Sequence, residues 1–236
     1  MAADDLPEPL VKLLGILGVD WPDISEEAVL QFASHLRTFG SSVDSTVQDA
    51  TSAIAGIAQG YQGDSTARMQ SGWEYLASNH ISEIKECCTV VADALDAAAG
   101  VIVAKKVAAI AELVGMAIAF FADEAAAAVT FGLSELALPA IEAGVRLMTR
   151  ELERELEQYL INEVINGLAK PALDKVMQAI ENLLWSSAPQ GGSGGSGRVQ
   201  IEPSTVTTNT AALRTHAQTV LEHVDTLKQG IAELNF

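Results

Sequence analysis

The hydrophobic positions of this chain repeat with helical periodicity over most of its length. From Asp23 onward the apolar residues are Val29, Phe32, Leu36, Phe39, Val43, Val47, Ala50, Ile54, Ile57 and Tyr61. Steps of three and four keep them on one face of a single helix. At 1.5 Å per residue, a helix from Asp23 to Gln59 is roughly 55 Å long, which suits a hairpin or bundle. Asp23 is the expected N-cap, with Glu26 completing a capping box. A short apolar helix, Leu6 to Leu17, and a turn at Gly18-Val19-Asp20-Trp21-Pro22 precede it.

The long stripe stops at Gly60-Tyr61-Gln62-Gly63-Asp64, where two glycines supply the positive φ expected of a reversal and Asp64 is placed to cap the next helix. A second stripe follows at Met69, Trp73, Leu76, His80, Ile84, Cys87, Val91, Leu95 and Ala98. Two long amphipathic helices joined by a short glycine turn pack antiparallel. The fold class expected is therefore all-α, with a helical hairpin over residues 23–99 behind an N-terminal helix and turn over residues 1–22.

Residues 100–188 read as an apolar helical extension that completes the bundle. Val101 to Ala122 is almost wholly apolar but carries Lys105, Lys106 and Glu112. A spanning helix needs about 20 largely apolar residues, and a central charge costs roughly 2.5–3.5 kcal/mol. A buried core helix is the leading reading here, and a membrane-inserting, pore-forming segment over residues 101–129 is the alternative. Breaks are expected at Gly132 and Pro139. A long helix from Ala140 to Ala169, charged over Arg150–Glu157, is then kinked at Pro171 and followed by a last helix to Trp185. Residues 189–198 form a Gly/Ser linker whose repeated Gly-Gly-Ser unit suits a designed fusion as well as a native linker. Beyond it, residues 199–236 form an amphipathic helix with Leu213, Ala217, Val220, Val224, Leu227, Ile231 and Leu234 in heptad register, a pattern that needs another helix to pack on. Leu213, Val220, Val224, Leu227 and Ile231 are its expected packing residues.

Composition narrows the function. The 236 residues are 49% hydrophobic and 5% aromatic, rich in alanine runs, and carry a formal net charge of −17. That charge excludes nucleic acid as a partner and disfavours an anionic membrane surface. Residues 1–100 hold 15 Asp/Glu against 4 Lys/Arg, a solvated face or one that selects a basic partner. The adjacent Cys87 and Cys88 read as small apolar residues flanking the stripe, since neighbours on a helix point about 100° apart. No phosphate-binding loop, metal-ligand cluster or nucleophile–base pair stands out, so no enzyme, no cofactor and no metal are expected. His216 and His223 share a face of the last helix and read as surface or rim positions. No cleavable signal peptide is expected, because Met1-Ala2-Ala3-Asp4-Asp5 is acidic where a basic segment is required.

Against that background the hairpin turn resembles a known family. A long helix, an aromatic-x-Gly turn at Tyr61-Gln62-Gly63 and a following helix with Trp73 resemble the WXG proteins exported by type VII (ESX) systems. Tyr61 stands where the family carries Trp. The wider layout, with Leu6-Pro7-Glu8-Pro9-Leu10 and Leu17-Gly18-Val19-Asp20-Trp21-Pro22 ahead of the hairpin, resembles the amino-terminal domain of actinobacterial CpnT-type polymorphic toxins over residues 6–188. The resemblance implies a non-catalytic export-targeting module of a secreted effector, read by the type VII secretion ATPase and packed with a small helical secretion partner. It also implies a location outside the cell or at its surface. Residues 199–236 look like such a partner helix or the effector's own next helix. Tyr159-Leu160-Ile161-Asn162-Glu163 fits the Tyr-x-x-x-Asp/Glu export signal, making Tyr159 and Glu163 its candidate residues. A purely structural coiled-coil adaptor is a third reading of the same stripes.

Overall fold

The computed structural model describes residues 6–130, 138–172, 174–175, 178 and 200–234, without the side chains of residues 80, 122–130 and 138. The fold is all-α. Its elements are α1 (Glu8–Leu17), α2 (Glu26–Gly60), β1 (Tyr61–Gln62), α3 (Asp64–Tyr75), a π-helical turn (Leu76–Ile81), α4 (Ser82–Thr130), α5 (Leu138–Tyr159), a π-helical segment (Leu160–Ala169), β2 (Gln200–Ile201) and α6 (Pro203–Ala232). The break expected at Gly132, the last helix to Trp185 and the Gly/Ser linker lie outside the described residues.

Several boundaries differ from those read off the pattern, each for a local reason. Ser25 rather than Asp23 caps α2, its hydroxyl accepting from the Ala28 amide at 3.1 Å. The break expected at Pro139 falls at the start of α5, where Pro139 lies in the first turn and its missing N–H costs nothing. The helix from Ala140 is α-helical only to Tyr159 and then widens. Helix α4 passes through Gly100 without interruption. The turn at Leu76–Ile81 holds its loosened carbonyls with side chains: Ser78 donates to the Glu74 carbonyl at 2.6 Å and Asn79 to that of Tyr75 at 3.0 Å.

The chain divides into two compact units, sharing the long helices α2 and α4. The first is built from the described residues of Met1–Gln31 and Ala94–Gly167. Its core is made by Leu10, Leu13 and Leu14 of α1, Val29 of α2, Ile102, Leu113 and Phe120 of α4, and Val145, Leu152 and Leu156 of α5. Helix α1 ends on Gly18 in the left-handed conformation (φ 59°), a C-cap that closes the Val19 amide onto the Leu14 carbonyl at 3.0 Å. Arg146 of α5 donates to the Leu17 carbonyl at 2.8 Å, satisfying another carbonyl at the same end of the helix.

Lys106 lies within this apolar core, 1% exposed, and its ammonium meets the Glu26 carboxylate at 3.1 Å. The three charges that interrupt the apolar stretch of α4 thus have three roles. Lys106 is buried in an ion pair, Lys105 pairs on the surface with Glu155 at 2.6 Å, and Glu112 is exposed. Among the described residues no helix is long and apolar enough to cross a membrane.

The second unit comprises the described residues of Phe32–Asp93 and Leu168–Leu234. In it α2 runs antiparallel to α3 and α4. Rungs at Arg37–Asp93 (2.6 Å), Asp44–Lys85 (2.7 Å) and Thr51–Trp73 (2.8 Å) show the opposed register. Gly40 lies between these rungs, where a Cβ would come within 3.3 Å of Cys88, so the helices approach closely there.

Removing one partner of the pair takes away the opposite charge that offsets the other's burial, Lys106 being 1% and Glu26 14% exposed. Lys106→Ala is expected to lower stability by about 3–5 kcal/mol in urea unfolding, and Lys106→Met combined with Glu26→Leu to restore most of it.

Candidate partner-helix interface

The reversal between α2 and α3 is built from hydroxyls and paired backbone, not from left-handed glycines. Gly63 is extended (φ 177°, ψ 167°), a conformation open to any residue, and among the described residues only Gly18 has a positive φ. Asp64 is the first residue of α3 and Gly63 the cap position, with no side-chain capping bond. Thr66 closes the turn instead. Its side chain is buried and its hydroxyl donates to the Tyr61 carbonyl at 2.8 Å, while Ser65 donates to the Tyr61 phenol at 3.1 Å. Trp73 ties the new helix back to α2, its indole N–H donating to the Thr51 hydroxyl. Thr66 and Thr51 had no signal in the hydrophobic pattern because both act through hydroxyls.

Tyr61 and Gln62 also pair with β2 as a two-stranded antiparallel ribbon, Tyr61 opposite Ile201 and Gln62 opposite Gln200. The Glu202 amide donates to the Gly60 carbonyl at 2.6 Å, so the end of α2 and the start of α6 are clamped together. From there α6 runs back along α2. Thr205 lies over Gly60, Asn209 over Gly56, His223 against Thr46, and Gly230 against His35.

Glycine makes this approach close. A Cβ at Gly60 would lie 2.8 Å from the Thr205 Cβ, and one at Gly230 would lie 2.8 Å from the His35 ring. Gly56 and Gly60 are four apart and share a face, as do Asn209 and Thr205 on the opposing helix. The Gly-x-x-x-Gly spacing was a sequence signal for a close helix contact that the hydrophobic stripe did not convey.

Leu213, Val220, Val224, Leu227 and Ile231 all lie half-buried along α6, with Ala217 exposed and no residue of the helix fully buried. His216 and His223 lie on the half-buried side too. His223 is half-buried, as a rim position is: its Nε2 is 3.0 Å from the Thr46 hydroxyl, and it lines a small cavity with His35, Ser42 and Leu227.

Tyr159 and Glu163 lie elsewhere, in the first unit. Tyr159, half-buried, is the last residue of α5, and Glu163 is exposed on the widened segment that follows. Among the described residues no group of three or more His, Cys, Asp or Glu is placed to hold a metal ion. Of the two thiols, Cys88 is buried and Cys87 half-buried. Burial pushes Cys88 up to about 11, helped by its neighbour Cys87, and burial raises Cys87 as well.

The antiparallel α2–α4 hairpin with its aromatic-x-Gly turn is the arrangement on which the comparison with known families bears. The family model of the WXG100-like domain matches residues 3–143. The chain belongs to the WXG100-like domain family. The match takes in α1, the whole hairpin and the first residues of α5, and stops short of Tyr159 and of α6. WXG100-like domains are generally non-catalytic modules associated with type VII secretion, and proteins of this family commonly pair with helical partners. The comparisons with curated proteins and with solved structures gave no match.

Two outcomes follow for this WXG100-like chain. Gly60→Ala should displace Thr205 and lower the melting temperature by several degrees, whereas Gly63→Ala, whose Cβ meets only the Tyr61 ring at 3.8 Å, should leave it within about a degree. In a thiol-exchange assay at pH 8, Cys88 should react at least about a hundredfold more slowly in the folded than in the urea-unfolded protein, because only the thiolate attacks.

Proposed function

We propose that this chain is the export-targeting part of a type VII secreted effector, and that α6 stands where a small helical secretion partner packs. The observation carrying this reading is the WXG100-like match over residues 3–143, which spans the antiparallel hairpin. Two features of α6 support the partner assignment. It lies outside the matched residues, beyond the Gly/Ser stretch 189–198, and it meets α2 through a continuous half-buried stripe with no fully buried residue. That is the anatomy of a helix docked on a preformed surface rather than one at the centre of a core.

The layout ahead of the hairpin supports a finer assignment, to the amino-terminal domain of a CpnT-type polymorphic toxin. Tyr159 and Glu163 serve in this reading as the export signal. Four residues apart, they fall on one side of the chain where α5 ends, with the Glu163 carboxylate open to solvent. The secretion ATPase is the receptor for that signal, and the effector's destination is the cell surface or the medium. No step requires catalysis by this chain.

Secretion from a host with an intact type VII system tests the reading directly. Deleting residues 24–98 should abolish export, and Glu163→Ala, at an exposed position, should reduce it by at least about tenfold while leaving the melting temperature unchanged. Export that survives the deletion overturns the targeting role. Cleavage at a protease site inserted within residues 189–197 should leave the fragment carrying α6 bound during gel filtration, and its loss would overturn the partner assignment.

A further inference from the structure

Helix α4 has a second apolar face that the first unit leaves open. Ile102, Lys106, Leu113 and Phe120 point into the core, whereas Val103 (37% exposed), Val107 (48%) and Ile118 (66%) face away from it. Ala104, Ala108, Ala111 and Gly115 are exposed between them, so the open face is both apolar and shallow over about 24 Å of helix. On one flank it runs into a groove between α4 and α5. Ala108, Ala109, Met148 and Leu152 form the floor, and Glu112, Glu151, Glu155 and Lys105 form the rim.

The charges on that rim are unequal. Lys105 is held by Glu155 at 2.6 Å, and Glu151 has only a loose pairing with Arg154 at 3.7 Å. Glu112 makes no salt bridge among the described residues and stands exposed at the edge of the apolar face.

We propose that this face and groove dock a cationic amphipathic helix of another protein, distinct from the helix that packs on α2. The small side chains of α4 admit a helix at short distance, its apolar side would cover Val107 and Ile118, and its Lys or Arg residues would meet Glu112 and Glu151. A second copy of this chain is the wrong occupant on electrostatic grounds. It would bring two acidic rims together between molecules that each carry a formal charge of −17. The inference rests on α4 and α5 alone and stands whether or not α6 is a partner helix.

The full chain can be titrated against a fluorescent amphipathic peptide of about 18 residues made of Leu and Lys, and against its Leu/Glu twin with the same apolar face. The Leu/Lys peptide should bind at least about tenfold more tightly. Glu112→Lys with Glu151→Lys should weaken its binding by about tenfold or more, while Glu222→Lys with Glu233→Lys, an equal charge change on exposed positions of α6, should alter it by less than about twofold. Equal binding of the two peptides, or equal effects of the two double variants, would overturn the proposal. So would a stable dimer in light scattering that Val107→Asp abolishes, since the face would then belong to a second copy.

Discussion

Helix α2 is packed on two nearly opposite sides, and the second unit depends on that constraint. One side meets α3 and α4 through Arg37, Gly40, Asp44 and Thr51. The other meets α6 through His35, Thr46, Gly56 and Gly60. The apolar stripe of Val43, Ala50, Ile54 and Ile57 runs between these two flanks and is buried. A helix carrying large side chains on both flanks could not admit two neighbours at this spacing. Glycine, serine and threonine provide the room, and their hydroxyls supply the polar contacts.

The first unit solves a different problem. Its long helix α4 is apolar nearly all round, and a single core cannot cover every face of it. Leucine and valine from α1, α2 and α5 bury one face, and burial of Lys106 in that face is tolerated because Glu26 neutralises it. Replacing such a pair by hydrocarbon is often neutral, so its value lies in specificity. An ammonium that must find one carboxylate fixes the rotation of α4 and its register against the first turn of α2.

WXG100-like domains are generally non-catalytic, and the described residues of this one carry extended helix faces. In a WXG100-like domain this is the expected economy, because recognition by other helices needs extended faces with defined charge and little else. The described residues carry two extended faces of small side chains: the glycine-notched side of α2, on which α6 lies, and the exposed apolar side of α4 beside the acidic groove.

The sequence by itself determined the helices, the antiparallel hairpin and the place of its turn. Periodicity of three and four over many turns is a local property, and every apolar position on the α2 stripe proves at least half-buried. It also marked the heptad side of α6, except at Ala217, which is exposed. What it left open depends on neighbours distant in the chain. No pattern within α4 distinguishes Lys106, buried against Glu26, from Lys105 on the surface one residue earlier. Asp23 and Ser25 are both good caps, and the choice fell to the residue whose hydroxyl reached the Ala28 amide. Gly63 looked like the residue that permits the turn, but Thr66 closes it and Gly60 is the glycine that has no room for a side chain. His223 read as a rim residue, and only the structure shows that Thr46 is the hydroxyl opposite it. Propensity and pattern are written along one helix, whereas partnership is decided between helices, where a single ångström of separation selects glycine, hydroxyl or charge.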